Sequence, residues 1–207
     1  MSSLDTFLSS IRPWAPGVPD PTAYKAIRNA AIEFCERTRL WKYEDAFDVT
    51  EADCDSGIFT PSGTQLHDIE IVLFDGRELS PQATRDLDRL LPKWRTDGLT
   101  GVPSYYTQID QNSLRILPAS EGSLYLCLRL KPALDATDIP DFIANEYREV
   151  IAWGALGRIL TIPGQSYSNP DLGTFYAQKF TERLDRLSTK GTTGQQRAPK
   201  RSRGRFF

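Results

Sequence analysis

The stretch from Ile139 to Leu187 constrains the fold most, because it reads as two amphipathic helices separated by a connection too short to take them apart. In IPDFIANEYREVIAWGALGRIL, Pro140 stands where a missing N–H costs nothing, and Asp138, Asp141 and Glu146 lie toward the positive end of the helix dipole. Phe142, Ile143, Tyr147, Val150, Ile151, Gly154, Ala155 and Ile159 recur at the three-to-four spacing of one helix face. Gly154 and Gly157 each cost roughly 1 kcal/mol against Ala in an exposed helix, so their use here implies close approach of another backbone. Pro163 and Gly164 stop this helix; Asn169 then caps and Pro170 opens a second one. Its buried face is expected to carry Leu172, Phe175, Tyr176, Phe180, Leu184 and Leu187. The spacing predicts an antiparallel pair over 139–162 and 170–187.

A third helix is expected near 20–40, capped by Asp20 with Pro21 in its first turn and bearing Tyr24, Ile27, Ala31, Phe34, Cys35 and Thr38. Leu4, Phe7, Leu8 and Ile11 predict a short helix closed by Pro13. Between 41 and 132 the pattern changes to short alternating segments with frequent turn residues. Asp75-Gly76 joins IEIVLF to a return strand, YYTQIDQNSLRIL reads as a hairpin, and Leu124, Leu126, Leu128 and Leu130 alternate along one strand. Ser80 and Pro81 signal a short helix near 81–91, with Leu87, Leu90 and Leu91 packing down. The expected class is therefore α+β: a helical bundle formed by 1–40 and 133–187, a small antiparallel β subdomain inserted at 41–132, and a basic extended arm at 188–207.

That arm carries Lys190, Arg197, Lys200, Arg201, Arg203 and Arg205 and no acid. With 25 Lys and Arg against 27 Asp and Glu in the whole chain, removing these six leaves 19 against 27. The body thus stands near −8 and the arm at +6, so the two prefer different partners. The arm has the composition of a segment that orders on a partner. Arg197, Lys200, Arg201, Arg203, Arg205, Phe206 and Phe207 are its candidate contacts, the arginines for acidic groups and the phenylalanines for pockets. Phosphate contact with nucleic acid is the alternative reading.

Reaction chemistry finds little support. His67 is the only histidine, beside Asp68 at an expected strand start, and there is neither GxxxxGK[ST] nor GxGxxG. Glu33 with Glu36, and Asp75 with Glu78, are pairs that chance supplies among so many acids, and are read as solvated faces rather than a glycosidase dyad. Trp14, Trp41, Trp94 and Trp153 are read as packing residues before a sugar platform. Cys35, Cys54 and Cys127 lack metal-site spacing and are expected as free thiols, Cys35 and Cys127 facing the core. No apolar run approaches the roughly 20 residues of a bilayer span, and the start MSSLDTFLSSIRPW lacks the form of a signal peptide. No catalytic residue, cofactor, metal or membrane partner is expected, and synthesis is expected in the cytoplasm.

Four stretches in order, PDPTAYKAIRNAAIEFCERTRLWKYE, WRTDGLTGVPSYYTQIDQNSLRILPAS, IPDFIANEYREVIAWGALGRILTIPGQSYSNPDLGTFYAQKF and the basic terminal segment, resemble the head-to-tail adaptor (connector) proteins of tailed bacteriophages. The resemblance covers about residues 10 to 187. It implies a structural virion protein at the neck or tail, made in the host cytoplasm: a dodecameric ring below the portal, extending the channel through which genome DNA passes without sequence-specific binding. It further implies a β-rich part that meets the next tail protein, a nozzle or tail tube, and a C-terminal arm that climbs onto the portal protein. An acidic wall would keep the genome from adhering in transit. The alternatives are a tail-tube or tail-completion protein, or a nucleic-acid-binding protein acting through its basic tail; an enzyme of virion entry has no residue set behind it.

Overall fold

A computed structural model describes residues 1–50, 55–95 and 99–193. The fold is α+β, with helices and sheets whose strands pair antiparallel except for one short parallel pair. In chain order, β1 (Ser2–Ser3) precedes α1 (Asp5–Ile11), which buries Phe7, Leu8 and Ile11 as the amphipathic spacing expects. Helix α2 (Asp20–Thr38) starts at Asp20 itself, with extended Pro19 in the capping place, so Asp20 contributes a first-turn charge and not the expected cap. It closes at Arg39, whose left-handed φ of 53° lets its N–H reach the Cys35 carbonyl at 2.9 Å.

Strand β2 (Lys42–Val49) follows, then β3 (Asp55–Gly57), β4 (Thr64–Phe74) and β5 (Arg77–Glu78). Asp75 and Gly76, at φ 45° and 78°, make the tight turn between β4 and β5 that their residue types predict. The expected helix from Pro81 is displaced. Ser80 and Pro81 form β6 (Ser80–Pro81), and α3 (Thr84–Leu90) begins three residues later after Ala83. Parallel pairing of Ser80 with Tyr105 decides this, since proline is tolerated on an edge strand, which β6 is. Leu87 is buried against Trp94 and Leu117 as expected, whereas Leu90 is exposed. Strands β7 (Tyr105–Thr107) and β8 (Ser113–Leu117) form the expected hairpin, Tyr105 opposite Leu117, and β9 (Gly122–Pro132) buries all four of its alternating leucines.

Strand β10 (Asp138–Ile139) pairs antiparallel with β1. The helix expected over 139–162 is accordingly shorter and broken, into α4 (Asp141–Glu146) and α5 (Arg148–Ile159), with Tyr147 leaving helical geometry at ψ 17°. Ile139 is lost to a pairing 137 residues away in sequence, which local periodicity does not register. The break at Tyr147 accompanies the packing of its ring on Phe34, 5.1 Å between centroids. Helix α6 (Pro170–Thr193) starts where expected, Asn169 accepting the Leu172 N–H at 3.1 Å, and runs six residues past the expected end at 187.

The chain divides into two compact units, a helical one from Met1–Leu40 and Pro132 onward, and a β unit, Trp41–Lys131. In the helical unit α5 packs on α1, α2 and α6, and α2 packs on α1 and α6. Gly154 and Gly157 make this possible: a Cβ on Gly154 would stand 2.9 Å from the Ala30 side chain and the Phe180 ring, and one on Gly157 3.1 Å from the Ala177 backbone nitrogen. Glu33 binds Arg158 at 2.6 Å, holding α2 to α5, and Arg37 bridges to Asp185 of α6. In the β unit one sheet has the order β2-β9-β4-β5 and the other β3-β8-β7-β6.

Candidate interaction surfaces

Arg197, Lys200, Arg201, Arg203, Arg205, Phe206 and Phe207 lie outside the described residues, as does Cys54. The described chain approaches them through α6. Among the described residues no three of His, Cys, Asp and Glu converge on a metal-sized site. The candidate glycosidase carboxylates take structural partners: Glu33 holds arginines, and Asp75 accepts the Ser123 N–H at 2.9 Å.

The helical unit presents a groove of about 430 Å³. Its floor is Ala152, Trp153 and Leu156 of α5; its walls are Ser9, Ser10, Pro13 and Trp14 on one side and Phe175, Tyr176 and Lys179 of α6 on the other. Trp14 meets Tyr176 edge-on at 5.9 Å, and Phe175 meets Tyr176 at 5.5 Å. The Lys179 ammonium sits 3.9 Å from the centre of the Trp153 ring, a cation–π contact that lays its stem along the groove. Trp14 and Phe175 are each 54% exposed. Phe175 was expected on the buried face of its helix. It sits at the rim because adjacent helical positions point about 100° apart, and Tyr176 takes the inward one. That adjacency was the available signal; for Trp14, between Pro13 and the irregular segment to Gly17, periodicity gave none. Glu149, Trp153 and Lys179 also line a second, charged trench with Glu146, Arg148, Glu182, Arg183 and Arg186.

The β unit has a polar cleft of about 880 Å³ between β4 and the segment from Pro81 to Thr84 with Tyr106 to Gln108. His67 lies here, half-buried on β4 with Asp68, among the amides of Gln65, Gln82, Gln108, Gln111 and Asn112. Burial, reinforced by Asp68 and Glu78, raises the Tyr106 hydroxyl above its ordinary value. Deeper in the same unit, Arg129 is 4% exposed and donates to Glu70 at 2.5 Å; the Cys127 thiol donates to Glu70 at 3.2 Å, and the Lys42 ammonium stands 3.4 Å from it. Burial pushes Glu70 up, but the Cys127 thiol, Arg129 and Lys42 together outweigh it and hold the carboxyl below its usual range. Burial and then the Glu70 carboxylate push the Cys127 thiol up to about 11, and burial raises Cys35 further still, so neither thiol is activated. Both are free and buried, as their positions predict.

Charge is unevenly divided. The β unit holds 9 Lys and Arg against 15 Asp and Glu, a net of −6, whereas the helical unit through Leu187 holds 10 against 12. No helix among the described residues is long and apolar enough to cross a membrane. Exposed aromatic side chains on a helical scaffold, together with an acidic β unit, are features of surfaces that meet other macromolecules.

The comparison with family models gives the class of protein. A family of structural bacteriophage adaptors, components of the virion neck, matches the chain over residues 2–203. The chain belongs to this family, described as SU10 adaptor protein. The resemblance read from the sequence is thus correct at the level of the family. Comparison with curated proteins gives no match.

Proposed function

We propose that the chain is the head-to-tail adaptor of a tailed phage. Twelve copies form a ring below the portal, extend the DNA channel and join the portal protein to the next tail component, a nozzle or tail tube. In this reading Arg197, Lys200, Arg201, Arg203, Arg205, Phe206 and Phe207 make the portal contact. The segment 188–207 is the arm, residues 41–132 the subdomain that meets the tail, and 1–40 with 133–187 the bundle that forms the ring. The observation that carries the reading is the family match across 2–203, which extends from the helical unit through the β unit into the basic segment. The charge division supports it as well: a −6 unit resists adhesion of passing DNA, while a +6 segment suits an acidic protein surface.

The test is co-sedimentation with portal rings from the same phage, comparing the full chain with one ending at Thr193, which leaves α6 whole. The full chain is expected to sediment with the rings, and the shortened chain to remain in the supernatant. A full chain that ignores portal rings but retards DNA, with an affinity that falls steeply with salt, would instead establish the nucleic-acid-binding reading.

A further inference from the structure

The aromatic groove of the helical unit is an exposed apolar surface, and its side chains indicate the chemistry of what would cover it. Trp14 and Phe175, half exposed at its two walls, present the kind of side chain that concentrates at the centre of protein contacts. Cationic side chains of α6, Lys179, Arg183 and Arg186, extend from it along the adjoining trench; Glu146, Glu149 and Glu182 share that trench, and Glu182 already holds Arg186.

A second exposed apolar feature belongs to the same unit. Leu134 is 71% exposed, against 52% for Leu90, and stands on the loop that leads into β10. Arg28 of α2 fixes this loop by donating to the Leu134 carbonyl at 2.8 Å and the Ala136 carbonyl at 2.7 Å, and the Leu4 N–H ahead of α1 donates to Thr137 at 3.3 Å. The loop is thereby tied to α2 and to the residue ahead of α1, whereas the groove lies between the end of α1, Pro13 and Trp14 on one wall and α6 on the other, over α5. The loop is acidic, Ala133 to Phe142 containing Asp135, Asp138 and Asp141 and no Lys or Arg, whereas the groove wall formed by α6 carries the cation Lys179, with Glu149 across from it on α5. Asp141 is engaged by the Met1 amine at 2.8 Å and Asp138 by the Thr137 hydroxyl at 2.9 Å, leaving Asp135 beside Leu134 as the acid best placed to accompany it.

We propose that the groove receives the Leu134 loop of a second copy of this chain, Leu134 entering between Trp14 and Phe175 and Asp135 meeting Lys179. The contact joins two different surfaces of the unit, a loop and a groove that share no residue, and is therefore proposed as head-to-tail. Repeated, it generates a ring when its rotation closes, whereas a two-fold contact ends at a dimer. The inference rests on the ring reading above and supplies the surface by which neighbouring copies meet.

The experiment uses full-length chains in which Cys54 is replaced by serine, since Cys35 and Cys127 are buried. Leu134→Cys and Phe175→Cys are made singly and together, and treated with a short bis-maleimide, both free at high concentration and seated on portal rings. The doubly substituted chain is expected to give a ladder of dimers, trimers and higher species. Mixed single variants are expected to stop at a dimer containing one of each. Lys179→Glu is expected to lower the yield about fivefold, because a cation opposite Asp135 becomes a like charge. Absence of any 134-to-175 product in both settings would overturn the contact, as would self-linking of Phe175→Cys alone, which marks a two-fold interface. Portal binding without the product leaves the adaptor reading standing and removes this contact; the product without portal binding does the reverse.

Discussion

Glu70 is the residue whose chemistry most clearly decides stability in the β unit. It is a carboxylate that faces Arg129, a guanidinium with only 4% of its side chain in water. Neutralising one partner of a buried guanidinium removes a charge-assisted hydrogen bond, worth about 1.5–3 kcal/mol. Glu70→Gln is accordingly expected to lower the unfolding free energy by about that amount, measured by urea denaturation at pH 7. The same group sets part of the acid limit. Its folded-state value is depressed below the ordinary 4.5, so its contribution is fully present above that value and lost as pH falls through the lower one. Wild type should therefore lose stability over this interval, and Glu70→Gln should lose less of it across the same acid range. Neither Glu70 nor Arg129 was singled out in the sequence. Both stand in strands of mixed polarity, and only β-pairing brings them together.

Among the elements, α5 depends on having no side chain at two places. Gly157→Ala would gain about 1 kcal/mol of helix propensity, but its Cβ would sit 3.1 Å from the Ala177 backbone nitrogen, which cannot rotate aside. Overpacking of this kind costs about 1–3 kcal/mol; the substitution is expected to lower the melting temperature, read by circular dichroism. The cap of α6 is a simpler case. Asn169→Ala removes the acceptor for the Leu172 N–H and is expected to cost about 1 kcal/mol by the same measurement. These features were legible because they are local: Asn-Pro starts a helix, and glycines on an apolar face imply close packing. The two places where the expected elements moved, Ile139 and Pro81, are both claimed by distant strands, and pairing energy between distant segments leaves no mark on local periodicity.

For the whole molecule, the division of charge is the property with the broadest consequence. If the basic segment grips the portal through its cations, Arg201→Glu, Arg203→Glu and Arg205→Glu together should abolish co-sedimentation, while wild-type binding weakens as salt screens the contact. Composition alone determined that a basic segment adjoins an acidic remainder. Order of elements determined the α+β class, and the run of resembling stretches determined the family, because these are properties of the chain read in sequence. Tertiary structure decided which side chains remain outside the core. Phe175 and Tyr176 are aromatic neighbours on α6, and only the packing of the rest of the unit, α5 and Trp14 included, buries one and leaves the other facing solvent. It likewise decided that acid excess gathers in one compact unit, and that Arg129 and Glu70, 59 positions apart, share one buried site. A sequence sets what each residue prefers, whereas burial depends on what the rest of the chain places beside it.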